Sequence, residues 1–582
     1  MSNARGLPSP TTALVWRAQR LRDRGQARKA IALLTAGLNG CSEPDEEVTL
    51  RLKRAECHSD LADWRQLERD ARCALPLGGR RAVALLARSL LEMKRPHEAA
   101  AVLESHGTGA PPDSEWWVLS AQALSADNRH DEAVTAMQRA YGLDPTLAAE
   151  FSDVLVAARR HDGNIEIARR VLGLAGGARS PHALGVDQEA RLWANLGSSL
   201  SACGDSEQSV HAFREALHLD PKLSGARWAL GFSLLRLGRF QEGFQCYEHR
   251  QKAAGICRRM GVRPWQGESL AGKHLVVAIE QGFGDTVQFV RFLPEVHRRA
   301  ARTTLITSSK YERVLASNPA FGEIRSGHRG FGFGDYQTLL MSLPHHLGAT
   351  ADLEKYLGPC PYLYPESAVG AAWRARLPSS PKIALVWQGN PSYAGDRWRS
   401  MPWRFYEPLV HRFGTSAAFL SLQKHFGRDQ LLGSPVRQLV LDLGDQIDNG
   451  ADAFVDSLAI LAEVDLLITT DTGLAHLAGA AGVRTWLLLG SVADWRWGIG
   501  SDRSVWYPTI RMFRQPVPGD WPGVIDQVID ALERSPIWST GCAVSQEIPP
   551  PPRLPAGCQS SGPQSPCGGL AGREPERRGP GG

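Results

Sequence analysis

Apolar residues recur with helical spacing through the first part of the chain, and the pattern repeats itself. Leu196 and Leu230, like Gly197 and Gly231, are 34 positions apart. Each copy predicts a pair of amphipathic helices, with a small residue where the two helices approach each other and a proline near the end of the second. Residues 11–258 are therefore predicted to form a helical solenoid built from stacked helix pairs.

The periodicity changes near Lys273. Short β-branched and aliphatic runs such as "KHLVVAIE" and "DLLITT" now alternate with helical patterns, which is typical of a doubly wound parallel sheet. Two such series follow each other. Residues 259–370 and 371–538 are accordingly predicted to be two Rossmann-like halves of an α/β fold with a cleft between them. Residues 539–582 are dominated by Pro, Gly and Ser, which predicts a disordered tail.

Composition narrows the function classes. Of the 582 residues, 43% are hydrophobic and 22% are charged, as in ordinary globular proteins. The net charge of +5 gives no reason to expect nucleic acid as a partner. No apolar stretch reaches the roughly 18 residues of a membrane span and no signal-peptide core is visible, so a cytoplasmic location is expected. The ten cysteines contain no CxxC pair, and no metal site is predicted.

The stretch "LLITTDTGLAHLAGAAG" marks the first candidate site. In parallel sheets, ligands bind beyond the carboxyl ends of the strands, where free backbone N–H groups at a helix start attract phosphate. Thr472 and Gly473 allow close approach, Asp471 can cap the helix, and His476 lies in the first turn. The alternative is purely structural: Asp471 or Thr472 is an N-cap and His476 packs locally.

A second candidate is "EQGFGDTVQF". Gly282 and Gly284 follow a predicted strand, and Asp285 begins a helix that faces the cleft, where its carboxylate could accept a proton. Asp285 could equally serve only as an N-cap. Val287 replaces the third glycine of a dinucleotide fingerprint, which makes a nicotinamide oxidoreductase the weaker interpretation.

Two further loops follow strand ends in the second half, and both are predicted to face the cleft. Arginine suits bidentate contact with phosphate oxygens, although solvated loop arginines are commoner. The polar candidates in these loops are Gln388, Asn390, Arg397, Arg399, Gln423 and Lys424. A tryptophan-rich segment comes later, and most of its rings are expected to clamp the loop onto the body. Trp495 is selected as the one ring that contacts a ligand.

At this point the motifs resemble a known protein class. The 34-residue pattern is similar to the tetratricopeptide repeat. The second part resembles the glycosyltransferase domain of bacterial repeat proteins, itself similar to the lipopolysaccharide heptosyltransferases of glycosyltransferase family nine, which have the GT-B fold. The motifs that carry the resemblance are "GFGDTVQFVRFLP", "IALVWQGNP", "RWRSMPW", "SLQK", "TTDTGLAHLAGAAG", "DWRW" and "WYPTIRMFRQP".

The resemblance implies an inverting, metal-independent transfer from a nucleotide-sugar to a hydroxyl group, with the nucleotide-sugar as co-substrate and no other cofactor. It implies that Asp285 is the general base, that Asp471, Thr472, Gly473 and His476 hold the donor diphosphate, and that Arg399, with Arg397, assists the leaving group. The first half looks short for this family, which leaves a protein or an envelope glycan as acceptor, recruited by the repeats. The alternative is a non-catalytic scaffold with a degenerate sugar-nucleotide module.

Overall fold

The computed structural model describes residues 9–106, 113–174, 184–253, 262–327, 334–379, 381–393 and 395–538. The predicted tail, residues 539–582, lies outside the described residues, as does the predicted boundary between residues 258 and 259. In the part of the chain that is described, no helix is long and apolar enough to cross a membrane.

The first part of the chain is a solenoid of antiparallel helix pairs, as predicted. Its helices are α1 (Pro10–Asp23), α2 (Ala27–Asn39), α3 (Pro44–Asp60), α4 (Trp64–Ala74), α5 (Gly79–Glu92), α6 (Pro96–Ser105), α7 (Ser114–Ala126), α8 (His130–Leu143), α9 (Ala148–Ala157), α10 (His161–Val171), α11 (Val186–Ala202), α12 (Ser206–Leu219), α13 (Ser224–Arg236), α14 (Phe240–Tyr247) and α15 (Arg250–Ala253).

Small and large residues meet inside the repeats as the pattern predicts. A Cβ atom on Gly197 of α11 would lie 2.9 Å from the ring of Phe213 in α12. A Cβ on Gly231 of α13 would lie 3.0 Å from the backbone nitrogen of Tyr247 in α14. The glycines therefore allow the paired helices to pack at a distance that any larger residue would increase.

The first α/β half contains a parallel sheet of order β1-β5-β2-β3-β4 among the described residues. Its strands are β1 (Arg263–Pro264), β2 (His274–Ala278), β3 (Arg302–Thr307), β4 (Glu323–Ser326) and β5 (Tyr336–Leu339). Its helices are α16 (Phe283–Val290), α17 (Leu293–Arg299), α18 (Ser309–Leu315), α19 (Leu343–His346) and α20 (Leu353–Tyr356).

The second half has a six-stranded parallel sheet of order β11-β10-β9-β6-β7-β8 within the described ranges. The strands are β6 (Lys382–Val386), β7 (Ala418–Ser421), β8 (Val440–Asp442), β9 (Leu466–Thr470), β10 (Thr485–Leu489) and β11 (Ile510–Arg514). The helices are α21 (Ser367–Arg374), α22 (Asp396–Arg399), α23 (Glu407–Phe413), α24 (Arg428–Leu432), α25 (Val455–Leu461), α26 (Gly473–Ala480) and α27 (Trp521–Glu533).

The boundary expected between residues 370 and 371 falls inside α21. This helix packs against α25, because the indole Nε1 of Trp373 donates to Asp456 Oδ1 at 2.8 Å. By packing, α21 thus belongs with the second half.

The last repeat is built into the α/β core rather than docked beside it. Phe244 of α14 is fully buried and contacts Phe289 and Trp495 edge-on, with ring centroids 6.2 Å and 5.8 Å away. The buried guanidinium of Arg250 pairs with the buried carboxylate of Glu280 at 2.7 Å. The last repeat therefore shares one hydrophobic core with the first half.

Candidate functional site

The turns that follow β2 and β9 meet across the gap between the two halves. A Cβ atom on Gly284 in α16 would lie only 2.8 Å from Cδ2 of His476 in α26, so glycine is required for this approach. Phe283 stacks on Phe454 of the second half with ring centroids 3.6 Å apart and planes 4° apart. The two motifs that the sequence singled out separately therefore form one site.

The start of α26 carries no side-chain cap. Its N-cap residue is Thr472, whose Oγ1 lies 3.2 Å from Thr469 Oγ1 and accepts nothing from the helix amides. The first turn contains no acidic residue. The expectation that Asp471 caps the helix is thus wrong. An uncapped helix start leaves N–H groups and the positive end of the helix dipole available to an anion.

A buried hydroxyl without a partner lies beside this helix start. Among the described residues, Thr470 Oγ1 at the end of β9 is buried and forms no hydrogen bond. Burial and the neighbouring Asp494 raise the pKa of Asp471 to about 6, although Arg399 opposes the shift. Buried donors are normally satisfied in folded proteins, so this end of the helix has the character of a ligand site.

Asp285 is held by both of its carboxylate oxygens. Oδ2 accepts the backbone N–H of Gly282 at 3.0 Å, and Oδ1 forms an ion pair with Arg496. Gly282 is the N-cap residue of α16, so Asp285 supports the turn from the third helical position. Burial raises the pKa of Asp285, and the opposing charge of Arg496 only partly offsets this effect. A raised pKa makes a carboxylate a stronger general base.

Arg496 and Asp494 belong to the site, and sequence reasoning missed them. Arg496 donates through Nε to Gln288 Oε1 at 2.7 Å and through Nη1 to Asp494 Oδ1 at 2.8 Å, and it also reaches Asp285. Burial favours a higher pKa for Asp494, but the interactions with Arg496 outweigh it and leave that pKa below its ordinary value. The sequence did contain a signal for this pair. In the motif "DWRW" an acidic and a basic residue alternate with two tryptophans, and the prediction used only the tryptophans.

The two candidate arginines of the β6 loop point to different neighbours. Arg399 donates to Asp396 Oδ1 at 3.0 Å, stacks on Tyr393, and acts electrostatically on Asp471 and His476. Arg397 stacks on Trp398 instead, and its charged neighbours lie on the solenoid. The charge of Arg399 therefore acts on the region of the α26 start, whereas Arg397 faces the repeats.

The remaining polar candidates brace loops. Gln423 accepts from the amides of Trp387 and Gln388 at 3.0 Å each and donates to two carbonyls. Gln388 Oε1 accepts from Gln430, and Asn390 Oδ1 accepts the amide of Ser392. The ammonium group of Lys424 is occupied by three oxygens of residues 447–449. These contacts shape the strand-end loops, and the predicted donor-binding roles of these residues remain predictions.

His476 is a buried, neutral imidazole. Its Nδ1 lies 2.9 Å from the hydroxyl of Tyr507, and its ring packs against Trp497 at 5.1 Å. Burial and the charge of Arg496 lower the pKa of His476 to about 3. In the absence of a bound anion, His476 is therefore neutral at pH 7, and a neutral imidazole can still donate or accept a hydrogen bond.

Trp495 does not occupy the position expected of a ligand-stacking ring. It is 1% exposed and packs among Phe244, Phe289 and Trp506. Its ring therefore has no accessible face, and it joins the last repeat to the α/β core. The general expectation that the tryptophans clamp this loop applies to Trp495 as well.

Comparison with known proteins agrees with this architecture. Residues 84–148 and 190–223 match models of the tetratricopeptide repeat. Protein FlbA of Caulobacter vibrioides is 28% identical over 460 residues, which cover 67% of this chain and 76% of that protein.

Two solved structures are similar over the second part of the chain. The glycosyl transferase family 9 structure from Veillonella parvula is 12% identical, with a TM-score of 0.36, and covers 47% of this chain and 99% of its own. The E. coli ADP-heptose lps heptosyltransferase II is also 12% identical, with a TM-score of 0.34, and covers 46% of this chain and 98% of its own.

The fold therefore has two parts. A solenoid that contains tetratricopeptide repeats precedes an α/β module of two parallel Rossmann-like sheets, in which the turns after β2 and β9 meet.

Proposed function

We propose that the chain is an inverting glycosyltransferase whose nucleotide-sugar donor binds with its diphosphate at the start of α26. The observation that carries the proposal is the pairing across the cleft of an uncapped helix start with the carboxylate of Asp285. Arg399 supplies a cation on the same side. The unpartnered hydroxyl of Thr470 adds a hydrogen-bond donor for an anionic ligand.

In the proposed reaction the oxygen of an acceptor hydroxyl attacks the anomeric carbon of the donor sugar while Asp285 takes the proton. The bond between the anomeric carbon and the diphosphate oxygen breaks, and the configuration inverts. Negative charge that builds on the departing diphosphate is stabilised by the helix amides and Arg399. The nucleotide-sugar is a co-substrate, and the proposal requires no further cofactor and no metal.

The repeats are proposed to recruit the acceptor, a protein or an envelope glycan, or a partner that delivers it. The last repeat is fused to the α/β core, so a partner docked on the solenoid would be held in a fixed relation to the cleft. Repeat arrays typically offer extended surfaces for such binding.

Calorimetric titration of the full chain with UDP-, ADP-, GDP- and CMP-sugars tests the donor site. We expect one of them to bind and Arg399→Gln to weaken it roughly 10–100-fold, since a charge-assisted hydrogen bond is worth about 1.5–3 kcal/mol. Arg404→Gln, an exposed arginine of the same half, is the control and should bind as the wild type does. Equal loss in both variants, or no binding at all, would contradict the donor site.

A non-catalytic scaffold remains the second candidate, and one observation favours it. Both oxygens of Asp285 already have partners, the amide of Gly282 and the guanidinium of Arg496, so neither is free for an acceptor hydroxyl. Under this alternative a nucleotide-sugar binds but is neither hydrolysed nor transferred. Product analysis after titration separates the two functions.

A further inference from the structure

One edge of the solenoid runs along the loop that precedes β11. A Cβ atom on Gly204, in the turn after α11, would lie 3.2 Å from Val492 Cγ2. A Cβ on Gly498 would lie 3.8 Å from the carbonyl oxygen of Arg236, the last residue of α13. Residues 492–498, which include the Asp494–Arg496 pair, are thus held between the repeats and the second sheet.

Two arginines, Arg236 and Arg514, lie at this seam, each held by a backbone carbonyl and not by a carboxylate. Arg236 donates through Nη1 to the carbonyl of Ser201 at 2.8 Å, and Arg514, at the end of β11, donates through Nη2 to the carbonyl of Trp497. The Nε atoms of both are buried and have no partner within the described residues. Neither guanidinium forms a salt bridge in that part of the chain, and Asp494, which acts on Arg236, is already taken by Arg496.

The same junction contains a buried arginine that is treated differently. Arg250 pairs with Glu248 and Glu280, each at 2.7 Å. Unpaired buried charge is costly, and proteins usually neutralise it as Arg250 is neutralised. Burial lowers the pKa of Arg236, and burial together with Arg236 lowers that of Arg514 to about 10, so both remain cationic at pH 7. Both side chains therefore stay charged at one seam, where the carboxylate that acts on Arg236, that of Asp494, is already paired with Arg496.

We propose that Arg236 and Arg514 bind a phosphate or carboxylate group of a substrate, so that a repeat helix and the second sheet jointly form an oxyanion site beside the cleft. The guanidinium group of arginine can donate two parallel hydrogen bonds to the oxygens of a carboxylate or a phosphate. Here each guanidinium is already oriented by one backbone carbonyl, that of Ser201 or that of Trp497. Binding of an oxyanion here does not depend on the function proposed above, although its assignment to a substrate rests on that function.

The site is adjacent to the proposed donor site but separate from it. The carbonyl of Trp497 holds Arg514, while the ring of Trp497 packs on His476 at the start of α26. The oxyanion could thus belong to the distal part of the donor or to the acceptor, and the experiment has to distinguish these two sources.

Titration of the full chain with inorganic phosphate, at ionic strength held constant with chloride, tests the proposal. We expect Arg236→Gln and Arg514→Gln each to weaken phosphate binding at least tenfold. Arg214→Gln on the solenoid and Arg412→Gln on the α/β surface, whose arginines pair with exposed glutamates, serve as matched controls and should bind phosphate normally.

Thermal unfolding without phosphate provides an independent readout. Because removing an unpaired buried charge relieves a cost, neither glutamine variant should unfold at a lower temperature than the wild type. If a glutamine variant does not fold, the corresponding lysine variant replaces it in the titration. Unchanged phosphate affinity in both variants would overturn the proposal, and so would loss of phosphate binding in Arg399→Gln alone, which would assign the phosphate to the donor site.

Repeating the titration with a saturating nucleoside diphosphate, chosen from the donor screen, identifies the source. Phosphate binding that persists assigns the oxyanion to the acceptor, because the donor's own phosphates are then already bound elsewhere. Phosphate binding that is abolished, with both glutamine variants also binding the nucleotide more weakly, assigns the oxyanion to the donor.

Discussion

Helices α16 and α26 begin alike but have opposite electrostatic properties. Each has eight residues and follows a buried parallel strand through a glycine-containing turn. In α16 the carboxylate of Asp285 accepts the N-cap amide, whereas α26 has neither a capping side chain nor an acid in its first turn. One helix start thus contains its own anion and the other is open to a ligand. The same local fold thus provides one helix start with a carboxylate and one without.

The largest effect should come from removing the anion of α16. Asp285→Asn keeps an oxygen for the Gly282 amide but cannot accept a proton, so turnover should fall by about 10²–10⁴-fold while donor binding persists. Steady-state rates and calorimetry measure the two quantities. Asp335→Asn is a matched control, because Asp335 also follows a Gly-Phe-Gly sequence and accepts a backbone amide, that of His274, on the opposite edge of the sheet. Full activity in Asp285→Asn would show that Asp285 is not the general base.

Giving α26 an anion of its own should have the next largest effect. Thr472→Asp places a carboxylate at the N-cap, where it competes with the donor diphosphate for the same amides. A charge at a helix end is worth about 1–2 kcal/mol at most, so donor affinity should fall roughly 5–30-fold. Thr472→Ser retains the hydroxyl and should bind normally. A Thr472→Asp protein that binds the donor as tightly as wild type would show that the diphosphate is bound elsewhere.

A smaller effect concerns stability, through His476 at the contact between the two helices. Its folded pKa of about 3 lies below the unfolded value of about 6.5, so the unfolded chain binds more protons below pH 6.5. The free energy of unfolding should therefore fall as the pH drops. The contribution of His476 to this fall is about 1 kcal/mol between pH 7.5 and 5.5. Urea unfolding of His476→Gln should show a correspondingly weaker pH dependence. Identical pH profiles for both proteins would contradict the buried, neutral imidazole.

The subtlest change should follow from Arg496, which links the two helix starts. Its positive charge counteracts the effect of burial on Asp285, so Arg496→Gln should raise the pKa of that carboxyl further. The acidic limb of the rate profile would then move to higher pH, since the base must be deprotonated. Arg496→Lys keeps the positive charge, so it should return the acidic limb of the pH-rate profile to its wild-type position. A uniform loss of rate at every pH would indicate a purely structural role.

Much of the fold follows from local pattern. The repeats were predictable because Gly197 and Gly231 recur with their large partners at a fixed spacing, and packing enforces that spacing. Strands β2 and β9 were visible as the apolar runs "KHLVVAIE" and "DLLITT" because they are buried. An edge strand such as β4 gives no such signal, since it is short and carries the polar residues Glu323 and Arg325.

The site was only partly predictable. Glycines and short polar residues after a strand identified the turns at Gly282 and Thr472, because backbone geometry requires those residue types. The roles of Arg496 and Trp495 depended on tertiary contacts with α16 and α14, which no local pattern encodes. Likewise, Gln423 satisfies its hydrogen bonds within its own loop neighbourhood, a fact that only the folded arrangement reveals.

The burial of Phe244 and the Arg250–Glu280 pair has a consequence for how such a chain can diversify. A stack of repeats anchored at its carboxyl end can gain or lose helix pairs at its amino end, where each pair touches only its neighbours. Exchange of α13 and α14 would open the apolar interior of the module that they cover. Variation in this scaffold should therefore appear as differences in the number and surface of the early repeats, with the last one held constant.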